Sequence, residues 1–143
     1  MINETLRKML ILDEGYESSL YADSVGKLTI GIGHNITDKG LRPDEIRLIY
    51  DNDVQEVKDE LQPHKWATDH DNIRQLVIID MAFNLGMFKL MQFKKMIAAL
   101  KNKDYTLAAD EMMDSRWASQ VGVRADRLHY MMLTGDIHPD YED

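Results

Sequence analysis

The stretch Asp13 to His34 reads DEGYESSLYADSVGKLTIGIGH, and its residue types can do chemistry. Glu14 and Asp23 supply two carboxyl groups, and Thr29 supplies a hydroxyl. Along Leu28 to Gly33 a strand sends alternate residues to opposite faces. Leu28, Ile30 and Ile32 then face a core, and Thr29, Gly31 and Gly33 face the other way. That second face is small and polar, so a bulky ligand can approach the backbone. Two carboxylates and a hydroxyl meet on one side of a hairpin. Glycoside hydrolysis needs such a set: one carboxyl stays protonated to donate to the leaving oxygen, and one stays ionised to help water attack. By residue type alone, a surface Glu and a turn Asp also read as ordinary structure.

The elements that must position these groups follow from periodicity and punctuation. Asn3 can cap a helix running to about Glu14, with Leu6, Met9 and Leu10 on one face and Gly15 as its stop. From Ser19 the period changes. Leu20 to Asp23 reads as a strand, Val25-Gly26 as a turn, and Lys27 to Gly33 as the return strand. Asp38 to Gly40 reads as a loop. Pro43 opens a helix with Asp44 and Glu45 in its first turn, and Pro63 closes it after Leu61. A polar loop, His64 to His70, precedes the most apolar helix, Asp71 to Leu85, the expected centre of its lobe. Further helices are expected at 90–100, 104–113, 115–120 and 124–134, with Gly135 as a stop. The fold class is α+β and mostly α. A hairpin lobe spans about 15–60, and a larger helical lobe spans about 64–135. The helix 3–14 is free to pack on the larger lobe, and a ligand cleft is expected between the two.

The chain has 143 residues, 44% hydrophobic and 29% charged, as in a globular domain. No apolar run is long enough to span a bilayer, which excludes stable membrane insertion. The N-terminus has no apolar signal-peptide core, so synthesis in a cytoplasm is expected. With no cysteine, disulfides, zinc-thiolate sites and thiol catalysis are excluded. The net charge of −8 argues against nucleic acid as a partner. The charge is uneven: Asp136 to Asp143 hold four acids and no base. Lys89 to Lys103 hold five lysines and no acid, either a solvated helix face or a patch for an anionic polymer or headgroup. Asp51-Asn52-Asp53 lacks the Gly and bidentate acid of a calcium loop. His64, Asp69, His70 and Asp71 read as a polar loop before a capped helix, so neither metal nor cofactor is expected. Gly31-Ile32-Gly33 lacks the third Gly and the helix of a dinucleotide site. The ten methionines sit mostly at helical spacing and read as core.

Glu14, Asp23 and Thr29, followed by Ile30-Gly31-Ile32-Gly33-His34, resemble the active-site signature of the T-even-phage-type lysozymes, glycoside hydrolase family 24. The resemblance continues in order. Asn52-Asp53-Val54 looks like the family's helix after the hairpin, and Met81 to Gly86 resembles the end of its central helix. Ser115-Arg116-Trp117, Arg124 and Arg127 resemble its C-terminal motif. The resemblance implies a lysozyme-like fold and an inverting muramidase, cutting peptidoglycan between N-acetylmuramic acid and N-acetylglucosamine. It implies Glu14 as general acid, Asp23 as the carboxylate that orients water, and Thr29 as the hydroxyl that helps hold it. The two carboxyls would stand about 6.5–9.5 Å apart. It further implies Arg124 beside the catalytic Glu, a His34–Asp53 ion pair, and sugar contacts from Gly31, Gly33, Asn35, Phe83 and Asn84.

Three departures stand out. The segment between His34 and Pro43 is too short for one helical decoration of the T-even type. Asn84 stands where that type has a Gln, and the chain is acidic where that type is basic. The implied setting is a monomeric phage endolysin, held in the host cytoplasm and reaching the periplasmic wall through a holin-like pore. The alternative is a wall-binding or virion-associated module that kept the fold without turnover. The presence together of Glu14, Asp23 and Thr29 favours the enzyme.

Overall fold

The computed structural model describes residues 1–142, so Asp143, the last acid of the tail, lies outside the described residues. Two compact units divide the chain, Met1–Ile49 and Tyr50–Asp143, with the boundary inside one long helix.

The first unit opens with α1, Ile2–Glu14. Its cap position is Met1 rather than Asn3, which lies inside the helix and caps nothing. Gly15 stops it at φ 89°, its N–H donating to the Ile11 carbonyl. A three-stranded antiparallel sheet follows: β1, Glu17–Ala22; β2, Leu28–Gly31; and β3, His34–Asn35. The expected two-stranded hairpin is thus a meander with β2 in the middle. Gly31 and Gly33 take φ values of 71° and 65°. Those left-handed conformations end β2 and turn the chain into β3, so the anticipated strand to Gly33 stops at Gly31. In β1, Glu17 lies opposite Gly31 and Tyr21 opposite Thr29, a bulge that inserts extra residues into β1.

The alternation argument fails at β2 for this reason. Leu28 is exposed, whereas Thr29, expected on the open face, is 4% exposed. Thr29 lies opposite Tyr21 on one side and Asn35 on the other, so neighbours on both edges cover it. After β3 comes a single helical turn, α2, Ile36–Lys39, where the sequence reads as loop. Asn35 caps it by accepting from the Asp38 N–H at 3.0 Å. Then α3, Pro43–Leu61, begins and ends where its flanking prolines require.

The second unit is helical. A one-turn α4, Lys65–Thr68, occupies the expected polar loop. Next comes α5, Asn72–Leu85, capped by Asp71. The helix expected at 90–100 is two, α6, Met87–Leu90, and α7, Lys94–Lys101. Then follow α8, Tyr105–Met113; α9, Arg116–Val121; and α10, Val123–Thr134. The buried hydrophobic cluster draws on every one of these helices, α4 to α10, and on Leu61 at the end of α3. Val77, Ile78, Met81 and Ala82 place α5 at its centre, while Leu76 and Phe83 remain exposed. Five methionines are in the cluster, as their helical spacing requires.

The acidic tail is not merely solvated. A 3₁₀ turn, Pro139–Tyr141, brings Asp140 to Arg127 at 2.9 Å. The Arg127 hydrogen bond pulls the Asp140 carboxyl below its usual range, against the opposing effect of burial, and the same bond raises Arg127. No helix among the described residues is long and apolar enough to cross a membrane.

Candidate active site

Asp23 closes the β1–β2 turn. Its Oδ1 accepts from the Val25 N–H at 3.0 Å and the Lys27 N–H at 2.8 Å. The Asp23 N–H in turn donates to the Lys27 carbonyl at 2.8 Å. An aspartate does this well because its short side chain reaches backbone donors two to four residues on. Thr29 is tied to the same point of the chain: its hydroxyl donates to the Lys27 carbonyl at 3.0 Å. The main chain of Lys27 therefore holds Asp23 by its N–H and Thr29 by its C=O. Thr29 spends its one hydrogen there, and the hydroxyl oxygen keeps lone pairs with which to accept.

Glu14 is exposed at the end of α1. Its side chain lies against the backbone of Gly33. A Cβ added to Gly33 would stand 3.0 Å from Glu14 Oε2 and 3.1 Å from Glu14 Cβ. The glycine is required twice, for this close approach and for its positive φ. Gly31 faces open space: a Cβ there would meet nothing within 4 Å.

The remaining expected residues have these surroundings. Asn35 is occupied with α2: besides its capping bond, its Nδ2 donates to Asp38 Oδ2 at 2.9 Å. His34 Nε2 donates to the Gly40 carbonyl at 2.7 Å, a structural tie. Asp53 is exposed on α3, beyond the unit boundary. In the second unit Arg124 Nε donates to Asp80 Oδ1 at 2.8 Å, and Nη2 lies 3.4 Å from the Asp80 carbonyl. Asn84 Oδ1 accepts the buried Trp117 indole N–H at 2.8 Å, and Asn84 is itself exposed, as is Phe83. Asp80 was missed in the sequence, although a lone acid inside Val77 to Phe83 signals a partner, because an unpaired charge there is costly. Lys27 was missed too, and its main-chain role has no sequence signature. His70 spends both ring nitrogens, on Tyr105 Oη at 2.8 Å and the Trp66 carbonyl at 2.6 Å. Among the described residues no group of three or more His, Asp or Glu could hold a metal ion.

The first unit thus carries a carboxyl at a helix end, a carboxylate locked in a turn, and a hydroxyl fixed on the main chain of the residue, Lys27, that also holds that carboxylate. Comparison with known proteins gives a match of the phage lysozyme family model to residues 12–129, which include residues of both units. The chain belongs to the phage lysozyme family. Its fold is the lysozyme-like α+β arrangement, a small antiparallel sheet followed by helices. The chain is 26% identical to probable T4-type lysozyme 1 of Dictyostelium discoideum, an alignment covering 94% of this chain and 96% of that protein. It is 24% identical to probable T4-type lysozyme 2 of the same organism, across 93% and 96% of the two chains. It is also 26% identical to the pre-baseplate central spike protein Gp5 of Enterobacteria phage T4, across 94% of this chain but 28% of that protein.

Proposed function

We propose that this phage-lysozyme-family protein is a muramidase, cleaving the β-1,4 bond between N-acetylmuramic acid and N-acetylglucosamine in peptidoglycan. The observation that carries the reading is the tie of Asp23 and Thr29 to the main chain of one residue, Lys27, in the same compact unit as Glu14. Glu14 donates its proton to the leaving oxygen as the glycosidic bond breaks. Asp23, ionised, accepts a proton from the attacking water. The lone pairs of Thr29 Oγ1 accept from that water and fix its direction. Direct attack by water gives inversion at the anomeric carbon and no covalent intermediate. The backbones at Gly31 and Gly33, in the same unit as these groups, contact sugar. No cofactor enters.

Turbidity of permeabilised Gram-negative cells tests turnover. Glu14→Gln keeps the side chain's shape but cannot donate the proton, a contribution typically of ~10²–10⁴ in rate. The expected outcome is loss of lysis with the melting temperature retained. Substantial lysis by folded Glu14→Gln removes that residue from its role. The anomer released first tests the mechanism: inversion is expected, and a retained anomer would require a covalent glycosyl-enzyme in place of direct attack.

The proposed setting is host lysis, by a monomer that a holin-like pore lets through to the periplasmic wall. A second setting has its own support. One relative, covered over 28% of its length, is by name a pre-baseplate central spike protein of phage T4. A virion-associated role predicts the chain in purified particles, where immunoblotting would find it. An endolysin is found in the lysate instead.

A further inference from the structure

A helix of one turn has no stability of its own, because one round of hydrogen bonds does not offset the order it imposes. α2 is such a turn, and both its ends are held from β3. At its start Asn35 accepts the Asp38 N–H, and at its end His34 Nε2 donates to the Gly40 carbonyl. The Gly40 N–H closes the turn on the Ile36 carbonyl at 2.9 Å. What the turn presents to β2 is a hydroxyl: Thr37 Oγ1 accepts the Leu28 N–H at 2.7 Å. Next to Thr37, Asp38 Oδ1 accepts from Lys27 Nζ at 3.1 Å, a pair exposed enough to be weak.

The Leu28 N–H is one end of the Lys27–Leu28 peptide unit. The other end is the Lys27 carbonyl, which accepts the Thr29 hydroxyl at 3.0 Å and the Asp23 N–H at 2.8 Å. A peptide unit is planar and trans, so fixing the direction of its N–H fixes the direction of its C=O. A peptide whose N–H donates is also a stronger acceptor at its carbonyl, because such bonds polarise one another. Thr37 thus acts on Thr29 through one rigid plane. With the carbonyl in place, the Thr29 hydrogen points into the main chain and its lone pairs stay free to accept. With the carbonyl displaced, the hydroxyl can turn and offer its hydrogen instead. A water that must be held by an acceptor then meets a donor.

We propose that Thr37 is a positioning residue for the hydrolysis, setting the Thr29 hydroxyl as an acceptor for the attacking water. The inference rests on the muramidase reading for that water, and goes beyond it in adding a residue outside the set of Glu14, Asp23 and Thr29. Thr37 acts through Leu28 and Lys27 rather than on the reacting atoms. It is exposed, so solvent can take the place of its oxygen at the Leu28 N–H when that oxygen is removed. The effect is therefore a few-fold rather than a complete loss. It falls on kcat, because the direction of the water matters in the transition state and not in the binding of glycan.

The test uses the full chain and a soluble fragment of peptidoglycan. Thr37→Val keeps the branched shape and removes the acceptor oxygen, whereas Thr37→Ser keeps the oxygen. Thr37→Val should lower kcat about threefold to tenfold and leave KM within about twofold. Thr37→Ser should recover most of kcat. A second readout needs no turnover. The Thr29 hydroxyl is buried and bonded, so NMR can follow the exchange of its proton with water. That exchange should quicken about threefold to tenfold in Thr37→Val and stay near the wild-type rate in Thr37→Ser. Should Thr37→Val not fold, Thr37→Ala loses the same oxygen and replaces it in both measurements. An unchanged kcat in the folded variant, or a loss that Thr37→Ser does not recover, overturns the proposal. So does a Thr29 hydroxyl exchange rate that the variant leaves alone. A wild type that cuts no glycan brings down the muramidase reading instead, and the hydroxyl exchange still shows whether Thr37 fixes Thr29.

Discussion

Asp23 carries a structural duty and a proposed chemical one, and a single substitution can separate them. Oδ1 accepts two backbone N–H groups, from Val25 and Lys27. Asn offers the same acceptor at that atom without the charge. Asp23→Asn is therefore expected to melt within about 0.5 kcal/mol of wild type while losing most lysis. Asp23→Ala should lose lysis and, in addition, about 1 kcal/mol for each hydrogen bond given up. Paired melting curves and turbidity rates check this, and Asp23→Asn with near-native lysis would leave the residue only its turn. At this scale the sequence was informative where side chains carry the chemistry. Glu14, Asp23 and Thr29 stand out by type and spacing. The tie between Asp23 and Thr29 does not, because it runs through the N–H and C=O of Lys27, which every non-proline residue has. Nor does the seat of Glu14 against Gly33, which depends on an absent Cβ.

Elements were legible where punctuation bounds them and obscure where glycine lets the chain turn without warning. Pro43 and Pro63 bracket α3, Gly86 ends α5, and Gly135 ends α10. Gly31-Ile32-Gly33 looks like continued strand by alternation, yet two positive φ values make it the turn into β3. That hidden third strand is why Thr29 is buried. The break between α6 and α7 has no Gly or Pro, and apolar residues continue across it, so periodicity read one helix. The α5 start yields a prediction from its cap. Asp71 accepts the Arg74 N–H at 3.1 Å and pairs with the Arg74 guanidinium at 3.1 Å. Burial pushes the Asp71 carboxyl up, but these bonds and the Arg74 charge together hold it below its usual range. A carboxylate lowered on folding contributes stability above its unfolded value, about 3.9, and loses it as pH falls through the lower folded value. Asn caps equally well but does not titrate. The advantage of wild type over Asp71→Asn at pH 7 should thus shrink by pH 3, and it is modest because the site is partly exposed. Melting both proteins at the two pH values checks it. A constant gap would show that the charge adds nothing to the cap.

Across the whole molecule, hydrophobic burial is lopsided. Every residue of the buried cluster lies between Leu61 and Met132. In the first unit the one fully buried side chain among the described residues is Thr29, a polar one. A unit of that size has little interior to remove from water, so its own hydrophobic contribution is small. The residues given chemical roles at Glu14, Asp23 and Thr29 are on this weaker unit, while the exposed Asn84 stands on the helix at the centre of the core. Opening free energies in proteins run from near zero at loosely packed segments to the global value in the core. Hydrogen exchange followed by mass spectrometry should show that contrast. Amides of α5, α8 and α10 should exchange only through global unfolding, with protection falling in step as denaturant lowers overall stability. Amides of β1, β2 and β3 should exchange through smaller openings, at rates that low denaturant hardly alters. Binding of a glycan fragment should slow the sheet amides more than the α8 amides, because a ligand stabilises most the state that local opening destroys. Equal protection of sheet and core helices in the free protein would mean that the two units unfold as one. The local stability argued from the empty interior of the first unit would then be wrong.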